Sequence, residues 1–170
     1  MYIKNKNIIN TSDISVVVQG AIDVNNTPKC LNSIRKYLPN SEIILSTWKE
    51  SNTDSLSYDI LVENEDCGGF LYDKNISKLN NNNRMILSTQ KGLEKANRKY
   101  ILKLRSDLEI INTNLLKNFN NDLKRYENFK LFKERILAYQ IYSLKFEELD
   151  DDIKKDIIDL FMYQIGVSLG

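Results

Sequence analysis

The chain has 170 residues with 24 basic and 23 acidic side chains, a length that suits one domain and a charge balance that argues against a nucleic-acid partner. With 42% hydrophobic and 28% charged residues it holds enough apolar material for one core, which excludes a disordered chain. Histidine is absent, so imidazole acid–base catalysis, histidine zinc ligands and Ser-His-Asp or Cys-His nucleophiles are excluded, leaving carboxylates, amines, phenols or a metal on oxygen ligands.

Met1 to Asn10 carries two lysines but no apolar run of roughly 7 to 15 residues, and no later stretch reaches the ~18 residues of a membrane span. A soluble chain without a transmembrane segment is expected. Ile14 to Val18, I-S-V-V-V, closed by Gln19-Gly20, reads as a strand buried on both faces, the kind found in parallel sheets. Thr27-Pro28 opens a helix with Cys30, Leu31, Ile34 and Leu38 on one face, Thr27 as its N-cap, and Pro39-Asn40 as its end. Glu42 to Thr47 and Tyr58 to Glu63 read as two further strands. That order of strand, helix, strand, loop, strand belongs to a doubly wound nucleotide-binding half. The two cysteines, Cys30 and Cys67, are too far apart for a C-x-x-C site and too few for a disulfide framework, which fits a reducing compartment.

Asn64 to Asn80 reads as a loop, followed by a helix from near Asn83 to Asn97 with Met85, Ile86, Thr89, Leu93 and Ala96 on its apolar face. Tyr100 to Leu104 is a fourth strand ending in Arg105-Ser106-Asp107, and its Lys103 is an expensive ammonium unless it finds a partner. Thr113 to Tyr126 reads as an amphipathic helix, Arg135 to Ile141 as another strand, and Phe146 to Phe161 as a helix with the acids Asp150 to Asp152 in its first turn. Ligands of open α/β sheets bind beyond the carboxyl ends of the strands, which directs attention to Gln19-Gly20, Ser46-Thr47-Trp48, Asn64 to Gly69 and Arg105-Ser106-Asp107. Asp107 suits a divalent cation held against a diphosphate, or alternatively is an exposed strand-end Asp or a helix cap. Arg84 and Arg105 suit bidentate phosphate contacts, or alternatively surface ion pairs.

Four blocks then stand together: I-S-V-V-V-Q-G at 14–20, T-P-K-C-L-N-S-I-R-K-Y-L-P-N-S-E-I-I-L-S-T-W at 27–48, N-R-M-I-L-S-T-Q-K-G-L at 83–93 and K-Y-I-L-K-L-R-S-D at 99–107. In order and spacing, over about residues 13 to 140, they resemble the WavE-type lipopolysaccharide synthesis proteins, which look like GT-A fold glycosyltransferases. The resemblance implies a three-layer α/β/α domain with a mostly parallel central sheet, spanning residues 1–170. It also implies transfer of a sugar from a nucleotide-diphosphate donor onto a glycan or lipid-linked acceptor of lipopolysaccharide or capsule. A cytoplasmic location follows, with peripheral association to the inner membrane.

The same resemblance implies that Gln19, Gly20 and Asp66 lie near the nucleoside, that Arg84 and Gln90 border the phosphates, and that Arg105-Ser106-Asp107 occupies the place of a D-x-D metal motif. Arginine at 105 departs from that motif, so Mn²⁺ or Mg²⁺ would rest on Asp107, or the arginine would replace part of the cation's charge. Asp66-Cys67-Gly68 stands where similar chains read D-P-G. Those chains also continue into an S-D-W block that is missing here. Codons permitted for Met162 to Gly166, read from the third base of the Met162 codon, can spell Val-Ser-Asp-Trp, so the expectation is a frame-shifted tail after Phe146 and a remnant that binds nucleotide sugar without catalysis. The alternative is a natural short protein whose last helix covers the sheet edge.

Overall fold

A computed structural model describes residues 9–73, 76–119 and 136. The chain divides into two compact units, Met1–Asn118 and Phe119–Gly170, and every element described here lies in the first. In chain order these are a 3₁₀ turn (Thr11–Asp13), β1 (Ile14–Gln19), α1 (Thr27–Tyr37), β2 (Glu42–Trp48), β3 (Ile60–Asn64), β4 (Phe70–Asp73), β5 (Ile76–Asn80), α2 (Asn82–Leu93), β6 (Tyr100–Arg105) and α3 (Asn114–Asn118). No helix among the described residues is long and apolar enough to cross a membrane.

The continuous β-branched run of β1 is buried at all six positions, as a central strand requires. It pairs in parallel with β2 on one side and β6 on the other, and β2 pairs in parallel with β3, giving the order β3-β2-β1-β6. This is the expected α/β sheet. Side chains alternate across it. Ile14, Val16 and Val18 of β1 and Ile43 and Leu45 of β2 meet Cys30, Leu31, Ile34 and Leu38 of α1, while Val17, Ile44 and Val62 turn to the opposite face.

Several expectations are corrected. Thr27 is the first helical residue of α1 and not its cap; its hydroxyl accepts the Asp23 N–H at 2.9 Å, while the Asp23 carboxylate takes the N–H groups of Asn25 and Asn26. Strand β3 begins two residues late and ends at Asn64, and the presumed loop at 64–80 contains the antiparallel pair β4 and β5. α2 stops at Leu93, and its buried positions are Ser88 and Gly92, while Met85, Ile86 and Leu93 are exposed. The cause is close packing: a Cβ on Gly92 would stand 2.4 Å from Val17 Cγ1 and 3.3 Å from Ser46 Cβ, so only small side chains fit beneath the helix. α2 lies over β1, β2 and β3. Among the described residues nothing covers the same face of β6, where Ile101, Lys103 and Arg105 are exposed in strict alternation, so Lys103 is not a core lysine. Of the predicted helix at 113–126 only α3 is described. The strand predicted at 135–141 and the helix at 146–161 lie outside the described residues, apart from Ile136.

Candidate functional site

The chain moves from β1 through β2 to β3 in one direction and returns to place β6 on the other side of β1, so the strand order reverses between β1 and β6. A crevice for ligands opens beyond the carboxyl ends at such a point. Here those ends are Gln19 and Arg105, which are direct partners in the register. The backbone beyond them is tied down: Ser106 N–H donates to Gln19 O at 3.0 Å, Ser106 Oγ donates to Ala21 O at 2.7 Å, and Gly20 N–H donates to Ser46 O at 3.1 Å. Gly20 has φ +128°, and a Cβ there would lie 2.9 Å from Ser106 Oγ. Its close approach is thus to Ser106, which locks the two strand ends together and presents residues 105 and 107 on a rigid base.

Both candidate arginines are held by candidate carboxylates. Arg105 binds Asp107 through Nε to Oδ1 at 3.0 Å and through a terminal nitrogen to Oδ2 at 2.5 Å. Arg84 binds Asp66 through Nε to Oδ1 at 2.7 Å and a terminal nitrogen to Oδ2 at 2.6 Å, and donates once more to Asn81 Oδ1 at 2.8 Å. Asp66 Oδ1 also accepts the Gly68 N–H at 2.9 Å, an Asx-type turn that Gly68 completes with φ +74°, and this is the shape the Asp66-Cys67-Gly68 sequence takes. The Arg84 hydrogen bond, followed by that N–H, holds the Asp66 carboxyl below its usual value, and Asp66 in turn raises Arg84. The carboxylates of the two pairs are 39% and 47% exposed, a setting in which solvent screens an ion pair and leaves it weak. Such pairs can open, so each guanidinium is available to a diphosphate that brings more charge than one carboxylate.

Beneath the crevice lies a buried polar chain that pattern reading missed. Gln19 is 4% exposed and its Oε1 accepts from Ser88 Oγ at 2.8 Å. Ser46 Oγ donates to Ser88 O at 2.7 Å, and Asn64 Nδ2 donates to Ser46 Oγ at 3.0 Å and to Thr47 O at 2.8 Å. The Gln19 side chain is therefore committed to α2, four residues along from Arg84, and it positions that helix. The available signal was a polar residue at the end of an otherwise apolar strand, met at Gln19, Ser46 and Asn64 alike. The Gln90 amide meets Glu94 at 3.3 Å, and Gln90 lines a groove of about 800 Å³ with Met85, Ile86, Leu93 and Lys103. The Lys103 ammonium has no ion pair among the described residues; although the residue reaches solvent, the walls of the groove desolvate it in part, and this, followed by the nearby Arg105 charge, lowers its pKa.

A divalent cation of the kind GT-A enzymes use needs about six oxygen ligands and a net negative cradle. Among the described residues no three acidic or thiol side chains converge, and both oxygens of Asp107 are engaged by Arg105. A dication on that carboxylate would stand about 5 Å from the guanidinium, a repulsion of roughly 2 kcal/mol in water and about 7 kcal/mol at an effective dielectric of 20. Among the described residues the donor set does not fit a metal held by the protein.

The family model described as WavE lipopolysaccharide synthesis matches residues 14–165, reaching past the four blocks and through most of the acidic tail. No curated protein and no solved structure matches the chain.

Proposed function

The chain belongs to the WavE lipopolysaccharide synthesis family, and on that footing we propose that it is a glycosyltransferase of GT-A type. It moves a sugar from a nucleotide-diphosphate donor onto a lipopolysaccharide or capsule glycan, free or lipid-linked, at the cytoplasmic side of the inner membrane. The observation that carries this reading is two carboxylate-held arginines at the ligand end of a parallel sheet, Arg84 partly exposed and Arg105 exposed at the reversal point itself. In the reaction an acceptor hydroxyl oxygen bonds to the sugar's anomeric carbon as that carbon's bond to the diphosphate oxygen breaks; the diphosphate leaves with the bonding pair and the hydroxyl proton passes to solvent. Arg105 and Arg84 meet the negative charge that builds on the departing diphosphate, and the Gly20 and Asp66 loops border the nucleoside. Gln19 and Ser88 hold α2, and with it Arg84, at the sheet.

A thermal-shift screen of nucleotide sugars tests this. A donor at about one hundred times its Kd adds roughly 2.7 kcal/mol, which raises the midpoint by several degrees. A panel in which no nucleotide sugar raises the midpoint would remove the reading, and a donor that binds without any transfer to a glycan acceptor would leave the chain a binding remnant.

A further inference from the structure

We propose that Arg105 is the resident cation of this site, so that the diphosphate is held without a divalent metal. The inference rests on the transferase reading above and concerns the same crevice. A D-x-D pair carries two negative charges and accepts a diphosphate only when a dication has brought it to neutrality. Arg105 with Asp107 is neutral already, and by the sequence resemblance Arg105 takes the position of the first carboxylate of such a motif. The two groups lie on either side of Ser106, which is 5% exposed and bonded to Gln19 and Ala21, so the backbone holds them in a fixed relation. Asp107 engages two of the five guanidinium N–H donors, and the remainder have no partner among the described residues. Asp107 is then a positioning residue that aims the fork. Lys103, two residues upstream on the same face of β6 and free of any ion pair among the described residues, adds a positive charge beside it.

Calorimetric titration of the whole 170-residue chain with inorganic pyrophosphate and with uridine, guanosine, adenosine and cytidine diphosphates, each in EDTA and in Mn²⁺, tests this. In the parent the tightest ligand binds in EDTA within about twofold of its affinity in Mn²⁺. Arg105→Ala weakens it in EDTA by about tenfold or more, the loss of a bidentate charged contact. Arg105→Asp loses binding in EDTA and regains it in Mn²⁺, and the Mn²⁺ resonance signal, unaffected by the parent protein, diminishes in that variant. Because Arg105 is 59% exposed, both variants keep the parent's melting temperature, which separates a lost contact from a lost fold. Parent binding that vanishes in EDTA and returns with Mn²⁺ overturns the inference and leaves the transferase reading standing, as does an Arg105→Ala variant that binds like the parent in EDTA. A chain that binds none of the five ligands with or without metal overturns both.

Discussion

Gly20 meets two constraints at one atom. Its φ of +128° is strained for any residue with a Cβ, and that Cβ would stand 2.9 Å from a hydroxyl already bonded to Ala21 O. Gly68, at φ +74°, has nothing within 4 Å. Gly20→Ala should therefore cost roughly 1–3 kcal/mol, against about 1 kcal/mol for Gly68→Ala, and Ser106→Gly in the Gly20→Ala background should recover the contact part alone. Urea denaturation measures all three. The two cysteines also differ by environment. Cys30 is buried with its thiol 3.5 Å from Arg105 O, and burial, then the Asp107 and Glu109 charges, push its pKa up to about 12, whereas Cys67 is exposed. At neutral pH a thiol reagent should label one equivalent, mapped to Cys67 by peptide mass, with Cys30 reacting only in denaturant. Equal labelling of both would contradict the burial of Cys30.

At the scale of elements, α2 shows how a helix can face a sheet with its small residues. Ser88 and Gly92 are four apart and share one side, and the glycine lets the helix backbone approach Val17 and Ser46. Gly92→Ala gains about 1 kcal/mol of helix propensity but inserts a methyl 2.4 Å from Val17 Cγ1, and overpacking of this kind costs about 1–3 kcal/mol. The clash should win, since Val17 is fully buried and cannot move aside without disturbing β1. Val17→Ala combined with Gly92→Ala should be less destabilised than the sum of the single variants, because the first removes the atom that the second strikes. Strict additivity in chemical denaturation would show that the helix has shifted instead. The apolar stripe that marked α2 in the sequence lines the open groove beside Lys103, so hydrophobic periodicity located the helix and misassigned its inner face.

Across the whole unit, acidic groups stitch separate elements together. Arg35 of α1 forms a two-point ion pair with Asp59, whose Oδ2 also takes the Ile43 N–H of β2 at 2.7 Å, at the end of the sheet away from the crevice. Burial alone would raise the Asp59 carboxyl, but the Arg35 and Ile43 hydrogen bonds outweigh it and leave it below its ordinary 3.8. Asp66, through Arg84, and Asp23, through the N–H groups of Asn26 and Asn25, are lowered too. As pH falls, the unfolded chain takes up these protons before the folded one. The stability they contribute is therefore complete above about 3.8 and is lost as pH drops through the lower folded values. Unfolding free energy should stay level, as far as these groups are concerned, from pH 7 to about 5 and decline below about 4, with a shallower decline in Asp59→Asn. An unchanged slope in that variant would remove Asp59 from the account.

The α/β class, β1, α1 and β2, and the place of Arg105-Ser106-Asp107 at the end of a strand all follow from local sequence pattern. Those features depend on neighbouring residues: a strand buried on both faces must read as a near-continuous apolar run such as I-S-V-V-V, and an amphipathic helix repeats every three or four positions. Tertiary structure alone decided that Asp66 meets Arg84 across 18 residues and that Gln19 meets Ser88 across 69. It also decided that α2 turns Gly92 inward and that one face of β6 stays open among the described residues. Local periodicity carries no distance between segments, and it equates inward with apolar. Where two backbones pack closely, inward instead means small, and the buried polar ends of the strands must then find hydrogen-bond partners on whichever element lies above them.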